Sequence, residues 1–177
     1  MILSIKSHLS EFIAKGIISN VNKREVENSE GVGIDLSARA VYLIGDEIAF
    51  LGKEFRKTPS SKELRPSKDG VFELQSGMSY LVETVEVFNL PEEISCQFFP
   101  RSTLFRSGVI FQSSILSHGY VGPMLFNLTN FGKKPFFLEK HARFSTAVFY
   151  SVKGSSNPYA GQWNGGRVSQ NKSERQI

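Results

Sequence analysis

From Gly31 onward the chain is written in short apolar runs, each closed by Gly, Pro, Asn, Asp or Ser. Ten such runs stand out: 32–36, 40–44, 47–51, 71–74, 79–84, 95–99, 108–112, 124–130, 135–138 and 143–152. They are rich in Val, Ile, Phe and Tyr, which suit a pleated, half-buried surface. The residues between them are those that favour turns. Ten short strands leave two main architectures, an all-β sandwich or a barrel. One helix precedes them. In SIKSHLSEFIAK, residues 4–15, Ile5, Leu9, Phe12 and Ile13 fall at i, i+4, i+7 and i+8 and make one apolar stripe. Ser4 stands at its N-cap, and Gly16 stands where a left-handed C-terminal residue belongs.

The 177 residues suit one domain. Residues 1–152 are expected to form it. The stretch GKEFRKTPSSKELRPSKDG, residues 52–70, is polar and basic and reads as a long loop. Residues 153–177 are poor in apolar side chains and read as a tail that is flexible unless something binds it. No apolar run approaches the ~18 residues of a membrane-spanning helix. The start of the chain carries Lys6, His8 and Glu11 where a signal peptide would be apolar. Cys96 is the single cysteine and has no internal partner, so a reducing, cytoplasmic setting is expected. The net charge of +4 is not concentrated beyond the short C-terminal stretch Arg167, Lys172 and Arg175. Neither nucleic acid nor membrane is the expected partner.

Three segments carry unusual chemistry. In GVGIDLSA (31–38), Asp35 lies inside an apolar strand. It is either a carboxylate paired within the fold or an edge acid facing water. In FPRSTLFRSGV (99–109), two arginines and two hydroxyls lie within the six residues that follow a proline. Guanidinium and hydroxyl donors together suit phosphate oxygens, and they equally suit a capped turn in solvent. In PYAGQWNGGRVS (158–169), aromatic rings, amides, glycines and an arginine share the tail. Such a segment closes over a nucleotide, with rings on the base and backbone N–H groups near phosphates, or it is a solvated end.

Taken in order, these segments resemble the dCTP deaminase and dUTPase superfamily, most closely its dCTP deaminase branch. GIDLSARAVYL (33–43) is similar to that family's first acidic motif, PRSTLFRSGV (100–109) to its phosphate-binding motif, and SHGYVG (117–122) to its turn motif. FFLEKHARFSTAVF (136–149) resembles its closing strand, and YAGQWNGG (159–166) its tail. The resemblance implies a mainly β fold: a distorted, dUTPase-like β-clip barrel with an N-terminal helix. It implies a homotrimer with sites between subunits, taking dUTP or dCTP. It also implies Mg²⁺, held through the phosphates and not by protein ligands. By position, Arg101, Ser102, Thr103 and Arg106 are expected at the phosphates. Tyr120 and Gly122 are expected at the sugar. Tyr159, Gly161, Trp163 and Gly165 are expected in the part that closes over the ligand.

The sequence departs from that pattern at the chemistry. Asn127 stands where the deaminases place a glutamate as general acid and base, and an amide cannot shuttle a proton at neutral pH. Ser117 stands where the dUTPases place a water-orienting aspartate, with His118 beside it. Thr146 and His141 replace a usual glutamine and glycine. Asp35, Ser117, His118 and Asn127 are therefore the candidate catalytic positions. Hydrolysis of dUTP to dUMP and diphosphate is expected ahead of dCTP deamination. A catalytically lapsed nucleotide-binding or regulatory protein on the same scaffold is the alternative.

Overall fold

The computed structural model describes residues 1–176. The chain runs β1 (Ile2–Leu3), α1 (Ile5–Ala14), β2 (Ile18–Ser19), α2 (Lys23–Asn28), β3 (Ile34–Ile44), β4 (Phe50–Leu51), β5 (Phe55–Lys57) and β6 (Ser61–Glu63). It continues through β7 (Val71–Leu74), β8 (Ser79–Asn89), β9 (Ile94–Pro100), α3 (Ser102–Arg106), β10 (Val109–Gln112) and β11 (Val121–Asn130). It closes with β12 (Phe136–Glu139), β13 (Arg143–Ser151) and β14 (Ser173–Arg175). Among the described residues, nine strands form one curled sheet, a distorted half-barrel along the path β1-β13-β3-β8-β11-β10. Two small sheets, β12-β7 and β14-β5-β4, complete the strands. No described helix is long and apolar enough to cross a membrane.

Strand β3 is the hinge of the sheet. Residues 34–37 pair with β13, residues 38–43 with β8, and residues 42–44 with β6. The register against β8 slips between Ala38 and Ala40, so Arg39 sits at a bulge. A bulge bends a strand and sharpens its twist, which lets one strand serve two directions of sheet. Strand β11 shows the simplest alternation. Gly122, Met124, Phe126, Leu128 and Asn130 are buried, while Pro123, Leu125, Asn127 and Thr129 between them are half-buried on the outer face. The inner faces hold a cluster of phenylalanines, with Phe98 and Phe126 ring centres 4.7 Å apart and Phe88 edge-on to Phe98 at 5.6 Å. Helix α1 lays Ile5, Leu9 and Phe12 on this core, and Phe12 meets Phe149 at 5.0 Å.

Several expectations are corrected here. The runs 32–36 and 40–44 are one strand, because the bulge absorbs Arg39 and no turn is needed. The run 79–84 continues to Asn89, since Glu86 is tolerated inside the fold. Of 47–51, only Phe50–Leu51 is strand. The loop expected over 52–70 contains β5 and β6, whose pairing partners β14, β4 and β3 lie elsewhere in the chain. Ser4 takes N-cap geometry without a side-chain bond. Two short helices appear that were not expected. One is α2, where the Asn22 side chain accepts from Arg24 N at 3.0 Å, and the other is α3.

Residues 153–176 lie back on the barrel. Tyr159 N donates to His118 O at 2.8 Å, and Gly165 N donates to Val121 O at 2.9 Å. Ser61 N donates to Ser169 O at 3.2 Å, and β14 pairs with β5.

Candidate functional site

The expected site residues fall into two groups. The first is an ionic cluster where β3, β13, α2 and the entry to α3 meet. The register sets Thr146 opposite Asp35, which brings the two side chains to one face. Thr146 Oγ1 donates to Asp35 Oδ1 at 2.7 Å, and Arg143 Nη1 donates to Asp35 Oδ2 at 3.0 Å. The Arg101 guanidinium pairs with the same carboxylate. Behind them lies Glu25, 1% exposed, which accepts from Asp35 N at 3.2 Å and pairs with Arg24 at 2.6 Å and Arg143 at 3.3 Å. Arg24 also reaches Glu30 at 3.0 Å. A buried carboxylate needs such partners, because an unpaired one is costly to desolvate. Burial, and then the neighbouring Arg143 and Arg24, pull Arg101 below its ordinary value. It remains a cation, as arginines in proteins do.

Pro100 ends β9, and the chain turns at Arg101 into the five-residue α3. Buried Leu104 pins this turn, and Ser102, Thr103 and Arg106 stand exposed beside it. Asp35 and Arg101 are thus tied together, with the exposed donors adjacent in sequence.

The second group surrounds a cavity of about 280 Å³ beside β8 and β11. Leu81, Met124 and Leu125 are among its apolar lining, with Ser117, Tyr120, Tyr159, Trp163 and Arg167 around them. Tyr120 is 6% exposed, donates its hydroxyl to Pro123 O, and meets Tyr159 edge-on at 5.7 Å. Burial pushes the Tyr120 phenol up to about 12. The Tyr159 hydroxyl accepts from Trp163 N at 3.2 Å.

Glycine permits the close approach of the tail. At Gly122 the φ is +147°, and a Cβ there would stand 2.7 Å from Gly165 Cα. A side chain would push the tail off the β11 strand, so the two glycines are a matched pair. At Gly161 a Cβ would run into the ring of Tyr159.

The structure thus brings Ser117, Tyr120, Tyr159 and Trp163 to one pocket, with Gly122, Gly161 and Gly165 shaping the backbone around it. Asp35, Arg101, Ser102, Thr103, Arg106, His118 and Asn127 are not among the residues lining it. His118 Nδ1 faces Ser156 Oγ at 3.3 Å. Asn127 Oδ1 accepts from Thr129 Oγ1 at 3.0 Å on the outer face of β11.

That face also carries Glu83, which lies opposite Leu125 and two residues from Leu81. It is 3% exposed, pairs with Arg39, and accepts from Tyr42 Oη at 3.1 Å. Sequence reasoning missed Glu25, Arg143, Glu83 and Arg56. Each is an ordinary charged residue in sequence, and apart from Arg24 beside Glu25 its partners lie elsewhere in the chain. Only the strand pattern placing Leu81 and Glu83 on one face could have flagged Glu83. Among the described residues no group of acids, histidines or cysteines is arranged to hold a metal ion.

Comparison with known proteins gives a consistent picture. The family described as dCTP deaminase-like matches residues 2–152. A probable deoxyuridine 5'-triphosphate nucleotidohydrolase of Methanothermobacter thermautotrophicus is 31% identical over 138 residues, covering 74% of this chain and 84% of that protein. A protein of the same description from Methanopyrus kandleri is 26% identical over 155 residues, covering 88% of this chain and 97% of its own. Among solved structures, the 2'-deoxycytidine 5'-triphosphate deaminase from Agrobacterium tumefaciens superposes with a TM-score of 0.64 at 16% identity, over 84% of this chain and 46% of that one. This last likeness concerns the fold.

Proposed function

The chain belongs to the dCTP deaminase-like family, and from that premise we propose that it is an enzyme of pyrimidine deoxynucleotide metabolism that hydrolyses dUTP to dUMP and diphosphate. One observation supports hydrolysis over deamination, the family's other chemistry. Asn127 is an amide whose Oδ1 is taken by Thr129, so it offers no titratable proton for deamination of a cytosine ring. Relatives described as deoxyuridine triphosphate nucleotidohydrolases match along most of their length, which favours the same side.

In this reading the pocket takes the pyrimidine and its sugar. Tyr159 and Trp163 wall it, and Tyr120 packs against the sugar carbon that lacks a hydroxyl, where a ribose would clash. A triphosphate carries about four negative charges, so cations must line its path. Arg101 and Arg106, with the Ser102 and Thr103 hydroxyls, supply them. The described residues offer no metal-ligating group of their own, so Mg²⁺ would be held through the nucleotide's phosphates, beside Arg101 and Arg106, and would offset part of that charge.

Asp35 is committed to Arg101, Arg143 and Thr146, so its task is to fix the Arg101 guanidinium. The attacking water falls to groups around the pocket: Ser117 at its lining, with His118 and Glu83 close in chain or register. Its oxygen bonds to the α-phosphorus and gives up a proton to solvent, the bond to the bridging oxygen breaks, and diphosphate leaves with that electron pair. The phosphate donors and the pocket belong to separate groups of one chain, which supports a homotrimer in which each site takes one group from each of two neighbours.

The test is incubation with dUTP and dCTP separately, with Mg²⁺, followed by ion-exchange separation of the nucleotides. The reading requires dUMP and diphosphate from dUTP and intact dCTP. Conversion of dCTP to dUTP or dUMP would return deamination to this site. Intact nucleotides in both tubes, with stoichiometric binding by calorimetry, would make the protein a nucleotide-binding member of the family.

A further inference from the structure

The polar stretch 52–70 has no role in the site described above, yet its first half is where the tail is held. Strand β5 pairs with β14 at Phe55–Arg175, Arg56–Glu174 and Lys57–Ser173. Ser60 and Gln170 form a further antiparallel bridge. Gln176 N donates to Glu54 O at 2.6 Å. One side chain of this segment reaches the pocket wall itself. The Arg56 guanidinium lies 4.7 Å from the centre of the Trp163 ring and donates to the Gln162 side chain. Arg167, paired with Glu174, stands 5.6 Å from the same ring. Trp163 is therefore stacked by two cations, one from the tail and one from the segment that docks it.

We infer that Arg56 is a positioning residue for the nucleotide pocket: it holds Trp163 in place as a wall, so that the β4–β5 hairpin acts as the dock for the tail of its own chain. This rests on the reading that the pocket takes the nucleotide. The physical basis is the attraction of a guanidinium for an indole face, together with the planar fork that lets one arginine stack and bond Gln162 at once. Arg56 is not itself among the residues lining the cavity and reaches it through Trp163, so its effect travels through that ring. Fixing the wall before the nucleotide arrives removes an ordering cost from binding and leaves the chemical step alone.

Trp163 is the only tryptophan in the chain, so its fluorescence reports the tail directly. Three readouts are taken on wild type, R56M and R56K: the emission maximum, the affinity for dUMP by calorimetry, and KM and kcat for dUTP. In R56M the emission should move toward that of a solvated indole, and dUMP affinity should weaken with a KM rise of about 3- to 30-fold. Its kcat should stay within about twofold of wild type. R56K keeps the charge and loses the fork, so it should fall between the two.

W163L should weaken dUMP binding as R56M does, and the double variant should add little, since both remove one contact. Unchanged emission and KM in R56M, or fully additive losses in the double variant, overturn the inference. If R56M does not fold, R56K at wild-type emission and affinity overturns it equally. Wild-type protein that leaves dUTP intact defeats the hydrolase reading alone, because emission and dUMP affinity still report on Arg56. Wild-type protein that binds no dUMP defeats both.

Discussion

Glu86 is a carboxylic acid whose ionisation the fold resists. It points from β8 into the core, is 0% exposed, and its Oε2 accepts from Ser37 N at 2.9 Å. Burial pushes its carboxyl from the ordinary 4.5 up to about 7, and the charge of Glu25 works in the same direction. The folded chain therefore holds a proton that the unfolded chain has released between those two values. Stability from this group is complete below about 4.5, falls as pH rises through the window, and levels off above about 7. The gap between the two values corresponds to about 3 kcal/mol. Glu86→Gln removes the titration and keeps the shape. Its melting temperature should gain on wild type by roughly 6–12 °C between pH 5 and pH 8. Parallel melting curves across that range would show that Glu86 does not change its charge there. Glu25 makes a different case, a buried carboxylate paired with Arg24 and Arg143. Glu25→Ala leaves Arg24 with Glu30 and Arg143 with Asp35, removes the acceptor of Asp35 N, and should cost about 2 kcal/mol, read by urea denaturation at pH 7. A loss under about 1 kcal/mol would place that cluster among surface pairs of little weight.

At the scale of elements, the barrel and the tail separate stability from function. The apolar core is built almost wholly from residues between Ile5 and Phe149, with Tyr159 the only side chain of the described tail residues packed against it. Truncation after Val152 should leave the melting temperature within a few degrees while removing the Tyr159 and Trp163 walls. It should lower kcat/KM by about 10²-fold, as loss of a positioning lid does. A truncated chain with wild-type kcat/KM would detach the tail from the site. Gly122→Ala tests the same contact from the other side, since its Cβ meets Gly165 and its φ favours glycine. It should reproduce much of the truncation's loss without removing a residue. How much of this was legible in sequence follows from how local each signal is. The alternation of β11 is written in consecutive residues and reads directly. The two halves of β3 read as two strands because Arg39 interrupts the apolar run, and the bulge that absorbs it is set by β8. The strands β5 and β6 carry no alternation of their own and exist through partners far along the chain. Aromatic and glycine residues announced the pocket, because each is unusual where it stands. Arg143 and Asp35 lie 108 residues apart, and nothing in either neighbourhood announces their pairing.

The whole molecule poses the question that neither residue nor element answers, namely how the phosphate donors proposed at Arg101 and Arg106 would meet the pocket at Ser117 and Tyr120. Within one chain the pocket lining includes none of the former, and a nucleotide needs both. A cyclic trimer resolves this if each site takes its donors from one protomer and its pocket from the next, because a head-to-tail ring presents the same junction three times. Such sharing has a signature that a site complete in one chain lacks. Arg106→Ala removes a phosphate cation and Tyr120→Ala removes a pocket wall, so each homotrimer alone should hydrolyse dUTP poorly. Arg106 is exposed, and its loss leaves the core intact. When the two variants are denatured together in equal amounts and refolded, random assembly pairs an intact donor group with an intact pocket at about one junction in four. The mixture should therefore recover about a quarter of wild-type activity, while the same proteins refolded apart and then mixed should recover little. Tyr120 is buried, so the Tyr120→Ala chain is first checked for assembly by light scattering, with Ser117→Ala as the substitute if it fails. Recovery absent from every co-refolded pair that does assemble would mean that each protomer builds its site alone, with the tail carrying the phosphates across to Arg167.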